Sequence, residues 1–238
     1  MSPARPLRFY KTVNVAPRGV GFEILLDGKP VKTPAGAPLA LPNAVLASAV
    51  AEEWRTQGQN LRPETMFLTK LSATAIDRVG ANRRDVIAQI VAFGHSDVLC
   101  YRAAAPAELV ARQAEAWDPW LHWARMRWGA PLQTGTGIGF IAQPESGLHA
   151  LETAVASQND FRLTVLHGGA SLCGSLILSL ALLEGAVSAE TAFAVGHLDE
   201  IYQAEKWGSD SEALAQRENK VNELKMLTIF LQVLGEEL

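Results

Sequence analysis

Residues 8–41 read RFYKTVNVAPRGVGFEILLDGKPVKTPAGAPLAL. Apolar and polar residues alternate through Arg8–Val15 and again through Gly21–Leu26, with Pro17-Arg18-Gly19 between them. Successive side chains of a strand point to opposite faces, so this period predicts two strands with one buried face. Asp27-Gly28 predicts a tight turn into Val31-Lys32-Thr33. Pro34, Pro38 and Pro42 then leave Leu39-Ala40-Leu41 as a short further strand. The expectation is a small antiparallel meander.

From Asn43 the period changes to that of a helix. Asn43 is an N-cap residue, Leu46, Val50 and Trp54 recur at i, i+4 and i+8, and Gly58 predicts the stop. This helix is expected to cover one face of the meander, with Trp54 in its apolar stripe as a structural residue. Helices are predicted at about 68–79, 83–94 and 106–116. In Trp117-Asp118-Pro119-Trp120, Asp118 reads as a cap and Pro119 as the first residue of another helix, which runs to Trp128 and stops at Gly129. Gly137–Ala142 (GIGFIA) predicts a strand that returns to the sheet. Helices follow at about 145–158, 171–184, 189–205 and 210–234, and residues 160–167 are read as helix from their neighbourhood. The fold class is therefore α+β, with a small antiparallel β-rich N-terminal domain over residues 1–90 and an all-α domain over 91–238.

The chain has 238 residues, of which 48% are apolar and 19% charged, and its net charge is −4. That balance suits a globular protein with a substantial core and disfavours non-specific attraction to nucleic acid or anionic lipid. Cys100 and Cys173 stand far apart in apolar surroundings without a CxxC pair, and read as reduced core thiols. No apolar run reaches the roughly 18 residues a membrane span requires, since Ser171–Leu183 meets Glu184-Gly185 at once. MSPARPLRFYK has no apolar targeting core. The expectation is a cytoplasmic protein with no membrane insertion, no nucleic-acid partner, no metal and no cofactor.

Sites of chemistry are weak. Thr134–Gly139 (TGTGIG) lacks both the glycine where Phe140 stands and a following Lys-Ser/Thr, so it predicts a turn rather than a nucleotide loop. His197 and Glu200 share a helix face, but no further metal ligands accompany them. Asp97 with a nearby histidine leaves open a hydrolase-like alternative, although Cys100 in Val98-Leu99-Cys100-Tyr101 reads as inert. Four of six tryptophans fall between Trp117 and Trp128, and read as core or domain junction, with an interface anchor as the alternative.

Asp199–Glu218 (DEIYQAEKWGSDSEALAQRE) is more particular. Two helical halves meet at Trp207-Gly208, and six acidic residues surround an indole read as buried and fixing the angle between the helices. Ser209-Asp210-Ser211-Glu212 fits a capping box, Ser209 at the N-cap and Glu212 at N3. The competing expectation is a recognition surface of fixed carboxylates: Glu212, Asp210, Glu205, Asp199 and Glu200 around Trp207.

Several separated blocks, taken together, resemble the assembly chaperone for the α subunit of the F-type ATP synthase catalytic head. They are Arg8–Lys11, the Leu26–Pro34 turn, Glu53-Trp54, Thr74–Asp77, Asp97–Ala103, Trp117-Asp118-Pro119, Asp199-Glu200 and Trp207–Ala213, in that order over about residues 8–234. The resemblance implies a non-enzymatic, ATP-independent chaperone that binds unassembled α, shields its β-facing surface and leaves when β arrives. It also implies an orthogonal helical bundle after the N-terminal domain. Glu212 best matches an acidic residue important in that family, and Trp54 matches a position whose replacement impairs folding. Eukaryotic relatives act in the mitochondrial matrix and carry a targeting extension; without one, this chain reads as a bacterial member.

Overall fold

The structure, a computed structural model, describes residues 6–137 and 139–235. The chain divides into two compact units, one up to Arg83 together with Ile229 onward, the other Arg84–Thr228.

In the first unit β1 (Val13–Arg18) and β2 (Gly21–Leu26) pair antiparallel from Val13↔Leu26 to Arg18↔Gly21, and β2 pairs with β3 (Lys29–Pro30). The hairpin turns at Gly19-Val20, so the first strand lies five residues later than the alternation from Arg8 predicted. Pro17 is tolerated inside β1 because β1 is an edge strand, whose outward side needs no donor. Residues 8–12 are held by side chains instead. The Asp27 carboxylate accepts from the Lys11 and Thr12 amides, and the Arg8 guanidinium donates to the Gln57 carbonyl at 2.6 Å. Leu39–Leu41 makes no strand; it contributes the isolated pair Phe22↔Leu41, while its proline neighbours interrupt any ladder.

α1 (Ala44–Arg55) covers the sheet, and its first turn is capped by Asn43, whose Oδ1 accepts from the Leu46 amide. Leu46 and Val50 are fully buried with Ile24, Leu39 and Leu41. Thr56 rather than Gly58 closes the helix, its hydroxyl donating to the Glu52 carbonyl. α2 (Phe67–Thr74) runs into a wider π turn at Ala75–Val79. Its N-cap position, Met66, has no acceptor, so the Glu53 carboxylate from α1 takes the Leu68 and Thr69 amides at 2.6 and 2.8 Å. The last turns of the final helix join this unit, where Asn43 Nδ2 donates to the Leu234 carbonyl at 2.7 Å.

The second unit is helical: α3 (Arg83–His95), α4 (Ala107–Trp128), α5 (Glu145–Ala156), α6 (Asp160–Cys173), α7 (Leu176–Leu183), α8 (Ala189–Gly196), α9 (Leu198–Trp207) and α10 (Ser211–Leu234), with α3 and α10 each reaching into the first unit. Every residue of α7 is buried, so it forms the axis against which α6 and α8 pack. Four expectations are corrected. α4 is one helix through Pro119, so Asp118 is no cap. Arg102 explains this: it donates to the Gln113 carbonyl before the proline and pairs with Asp118 at 2.7 Å, while buried Trp117 donates its indole N–H to the Val195 carbonyl at 2.8 Å. These ties offset the one backbone bond a proline removes.

The helix predicted over 171–184 is broken at Gly174, and Ser175 caps α7 through its hydroxyl. That predicted over 189–205 breaks at His197. Gly196 there passes so close to α6 that an added Cβ would lie 2.5 Å from the Cys173 carbonyl oxygen. Among the described residues no strand forms at 137–142, of which Ile138 lies outside them. Instead β5 (Gly135–Thr136) pairs in parallel with β4 (Tyr101–Arg102), and the Gln143 side chain clasps both the amide and the carbonyl of Gln133, closing the segment into a loop. The α+β class stands: a small antiparallel sheet with helices, then a helical unit.

Candidate functional site

The acidic joint is built by α9, Gly208 and α10. α9 ends at Trp207 because Gly208 adopts φ 86°, ψ 168°, a conformation open essentially to glycine alone. The chain re-enters helix three residues later, at Ser211, and the cap is Asp210, whose Oδ1 accepts from the Ala213 amide at 2.7 Å. The cap is thus one residue later than the Ser209 box predicted. Ser209 Oγ instead accepts from Arg217, which also donates to the Glu200 carbonyl at 3.1 Å and ties α10 back to α9.

This shift matters for Glu212. Freed from the box, its exposed carboxylate has one hydrogen bond among the described residues, a 3.3 Å donation from Gln216. Trp207 is corrected more sharply: its indole is 79% exposed, so burial of Trp207 cannot set the helix angle. Gly208 and Arg217 do that. Between the helices lies a shallow groove of about 360 Å³ lined by Trp207, Asp210, Gln216 and Arg217 among others.

The other carboxylates are engaged internally. Glu205 forms a bidentate pair with Arg112 at 2.5 and 2.8 Å, and that guanidinium holds its carboxyl below the usual range. Asp199 accepts from Gln113 Nε2 at 2.7 Å, and Glu200 lies 3.2 Å from His197 Nδ1. The neighbouring Lys206 ammonium pairs with Glu108 at 2.8 Å and lowers its carboxyl likewise. Neither Arg112 nor Arg217 was singled out from the sequence. Their partners are 93 and 17 residues away, beyond any local spacing rule.

Asp97 belongs to a different environment. It is fully buried and accepts from the Leu99 amide, the Ser175 hydroxyl at 2.9 Å and the Ile177 amide at 3.1 Å, so it joins the 97–100 turn to the start of α7. Burial pushes its carboxyl up to about 6 against those donors. His95 is exposed, and every Asp97 contact is to the framework. Burial raises both thiols, Cys100 and Cys173, to about 12. Among the described residues no group of three or more His, Cys, Asp or Glu could hold a metal ion. Nor is any helix among them long and apolar enough to cross a membrane. Trp54 is half-buried, its ring edge-to-face with Tyr10 at 5.7 Å, and its flank opens on a groove of the first unit rather than the closed core.

A profile of the ATP12 chaperone protein family matches residues 7–125. The crystal structure of Atp12 from Paracoccus denitrificans, 39% identical, superposes with a TM-score of 0.93 over 97% of this chain and 99% of that one. The chain belongs to the ATP12 chaperone family. An aspartate-to-lysine variant of the same Paracoccus protein matches this ATP12-family chain equally well, with a TM-score of 0.93 at 38% identity over 97% and 98% of the two chains. The mitochondrial protein atp12 of Schizosaccharomyces pombe is 29% identical over 220 residues, covering 87% of this chain and 75% of that protein. Membership makes the chain one of the ATP synthase assembly chaperones and agrees with the mixed fold described above.

Proposed function

We propose that this ATP12-family chain binds the unassembled α subunit of F-type ATP synthase, covers its β-facing surface, and is displaced when the β subunit takes that place. It does so without enzymatic chemistry. The observation that carries the reading is the joint after α9, where the large apolar Trp207 stands exposed five residues before a carboxylate, Glu212, whose one hydrogen bond among the described residues is a long one to Gln216. An aromatic anchor beside a charged rim suits an interface that must hold and later yield. Asp199, Glu200, Glu205 and Asp210 serve this surface from behind, as ties that fix α9 and start α10. Trp117, Asp118 and Trp54 support the framework. An unassembled subunit exposes apolar area that aggregates, and a cover of this kind prevents that.

Co-expression with tagged α, with β, and with both together tests the reading. Capture of α alone, lost when β is present, is the expected result. Failure to capture α, or stable retention in the finished complex, overturns it.

A further inference from the structure

The first unit carries a groove of about 750 Å³ that none of residues 199–217 lines. Its lining includes Trp54, Leu61, Met66, Ala73 and Leu39, so its floor is apolar. Its polar lining sorts into two kinds. Asp77, in the π turn, is engaged by the Thr33 hydroxyl at 2.6 Å and the Ala35 amide at 2.9 Å. Lys32, Lys70 and Arg78 are exposed, and none of them forms an ion pair among the described residues. An apolar trough with three free cations against one occupied carboxylate selects an occupant that is both apolar and acidic.

The spacing of the cations decides between a single anionic headgroup and a chain. Lys70 and Arg78 are eight residues apart on one continuous helical stretch, which places them about 12 Å apart along its axis at 1.5 Å per residue. An extended chain covers that distance in about four residues. We propose that this groove holds an extended stretch of an unassembled client polypeptide, apolar in its centre and flanked by carboxylates about four residues apart. The proposal rests on the chaperone reading above but not on the surface at Trp207 and Glu212.

The test uses the full chain and two labelled synthetic peptides, an apolar triad between two glutamates and the same triad between two lysines, followed by fluorescence anisotropy. The glutamate peptide is expected to bind the wild type and to weaken by about tenfold when Lys32→Glu, Lys70→Glu and Arg78→Glu are combined, because three exposed attractions become repulsions. Its lysine counterpart is expected to gain on that variant. The neutral set Lys32→Gln, Lys70→Gln and Arg78→Gln should fall between, with thermal unfolding unchanged in both because all three side chains are exposed. Equal wild-type binding of the two peptides, or binding indifferent to both variants, overturns the proposal. So does laurate binding with the same cation dependence while neither peptide binds, which assigns the groove to an amphiphile. Self-association of the wild type that the charge reversal abolishes would assign it to a second copy and overturn it equally. Glu212→Ala separates the two readings: peptide affinity is expected to persist in it whatever becomes of α-subunit capture.

Discussion

Asp97 and Glu212 are both carboxylates at the start of a helical segment, and the protein uses them in opposite ways. Asp97 is sealed and surrounded by donors from two segments nearly eighty residues apart in sequence, so its acceptor oxygens organise the core. Glu212 is exposed, displaced from its cap by Asp210, and among the described residues makes one long side-chain hydrogen bond. A carboxylate whose acceptor capacity is filled by the fold has nothing left for a partner. One left open in water costs the fold little and remains available for recognition. The difference lies in burial and donor supply, neither of which residue type reveals.

Four measurements break or sharpen that contrast. Asp97→Ala leaves three buried donors without an acceptor and is expected to lower unfolding free energy by on the order of 3 kcal/mol in chemical denaturation. A loss below about 0.5 kcal/mol, the surface range, would erase the distinction from Glu212.

The pH dependence carries a sign. Asp97 has a higher pKa folded, about 6, than its ordinary 3.8, so the folded state holds that proton more tightly. Its contribution is complete below the lower value and is lost as pH rises through the higher one. Wild-type stability relative to Asp97→Asn should therefore fall between those values, with a slope approaching 1.4 kcal/mol per pH unit at about the midpoint of the window. A flat difference across the window would refute it.

Gly208→Ala forces a side chain into φ 86° with no steric neighbour to blame. A loss of about 1 kcal/mol is expected from backbone strain alone, together with weaker α-subunit capture as the α9–α10 angle changes. Capture at wild-type strength would show that the angle does not matter. Smallest of all, Glu212→Ala should leave stability within about 0.5 kcal/mol and still reduce capture of α. Normal folding with undiminished protection of α from aggregation sinks the role given to Glu212.

Legibility in the sequence followed the range of the interaction. Asn43 capped α1, Gly129 ended α4 and the Leu46/Val50 stripe was buried, because each depends on neighbours within a turn or two. The helix across Pro119, the capping residue of α10 and the exposure of Trp207 were misread. Arg102 holds the first from more than ten residues away, and Gly208 delays the second by one position. Trp207 reads as core by composition, but whether neighbours cover an indole is a fact of packing. The groove beside Trp54 was invisible for the same reason, since its lining is drawn from segments between Val31 and Arg78.

By itself the sequence determined the α+β class, the meander followed by helices, and the family, because period, turn residues and ordered blocks are properties of local stretches. Only the tertiary structure decided which carboxylates are consumed and which stay free, where Trp207 points, and which cations line an apolar trough. Those outcomes depend on donors and acceptors brought together across as many as 93 residues of chain, a distance no local pattern spans.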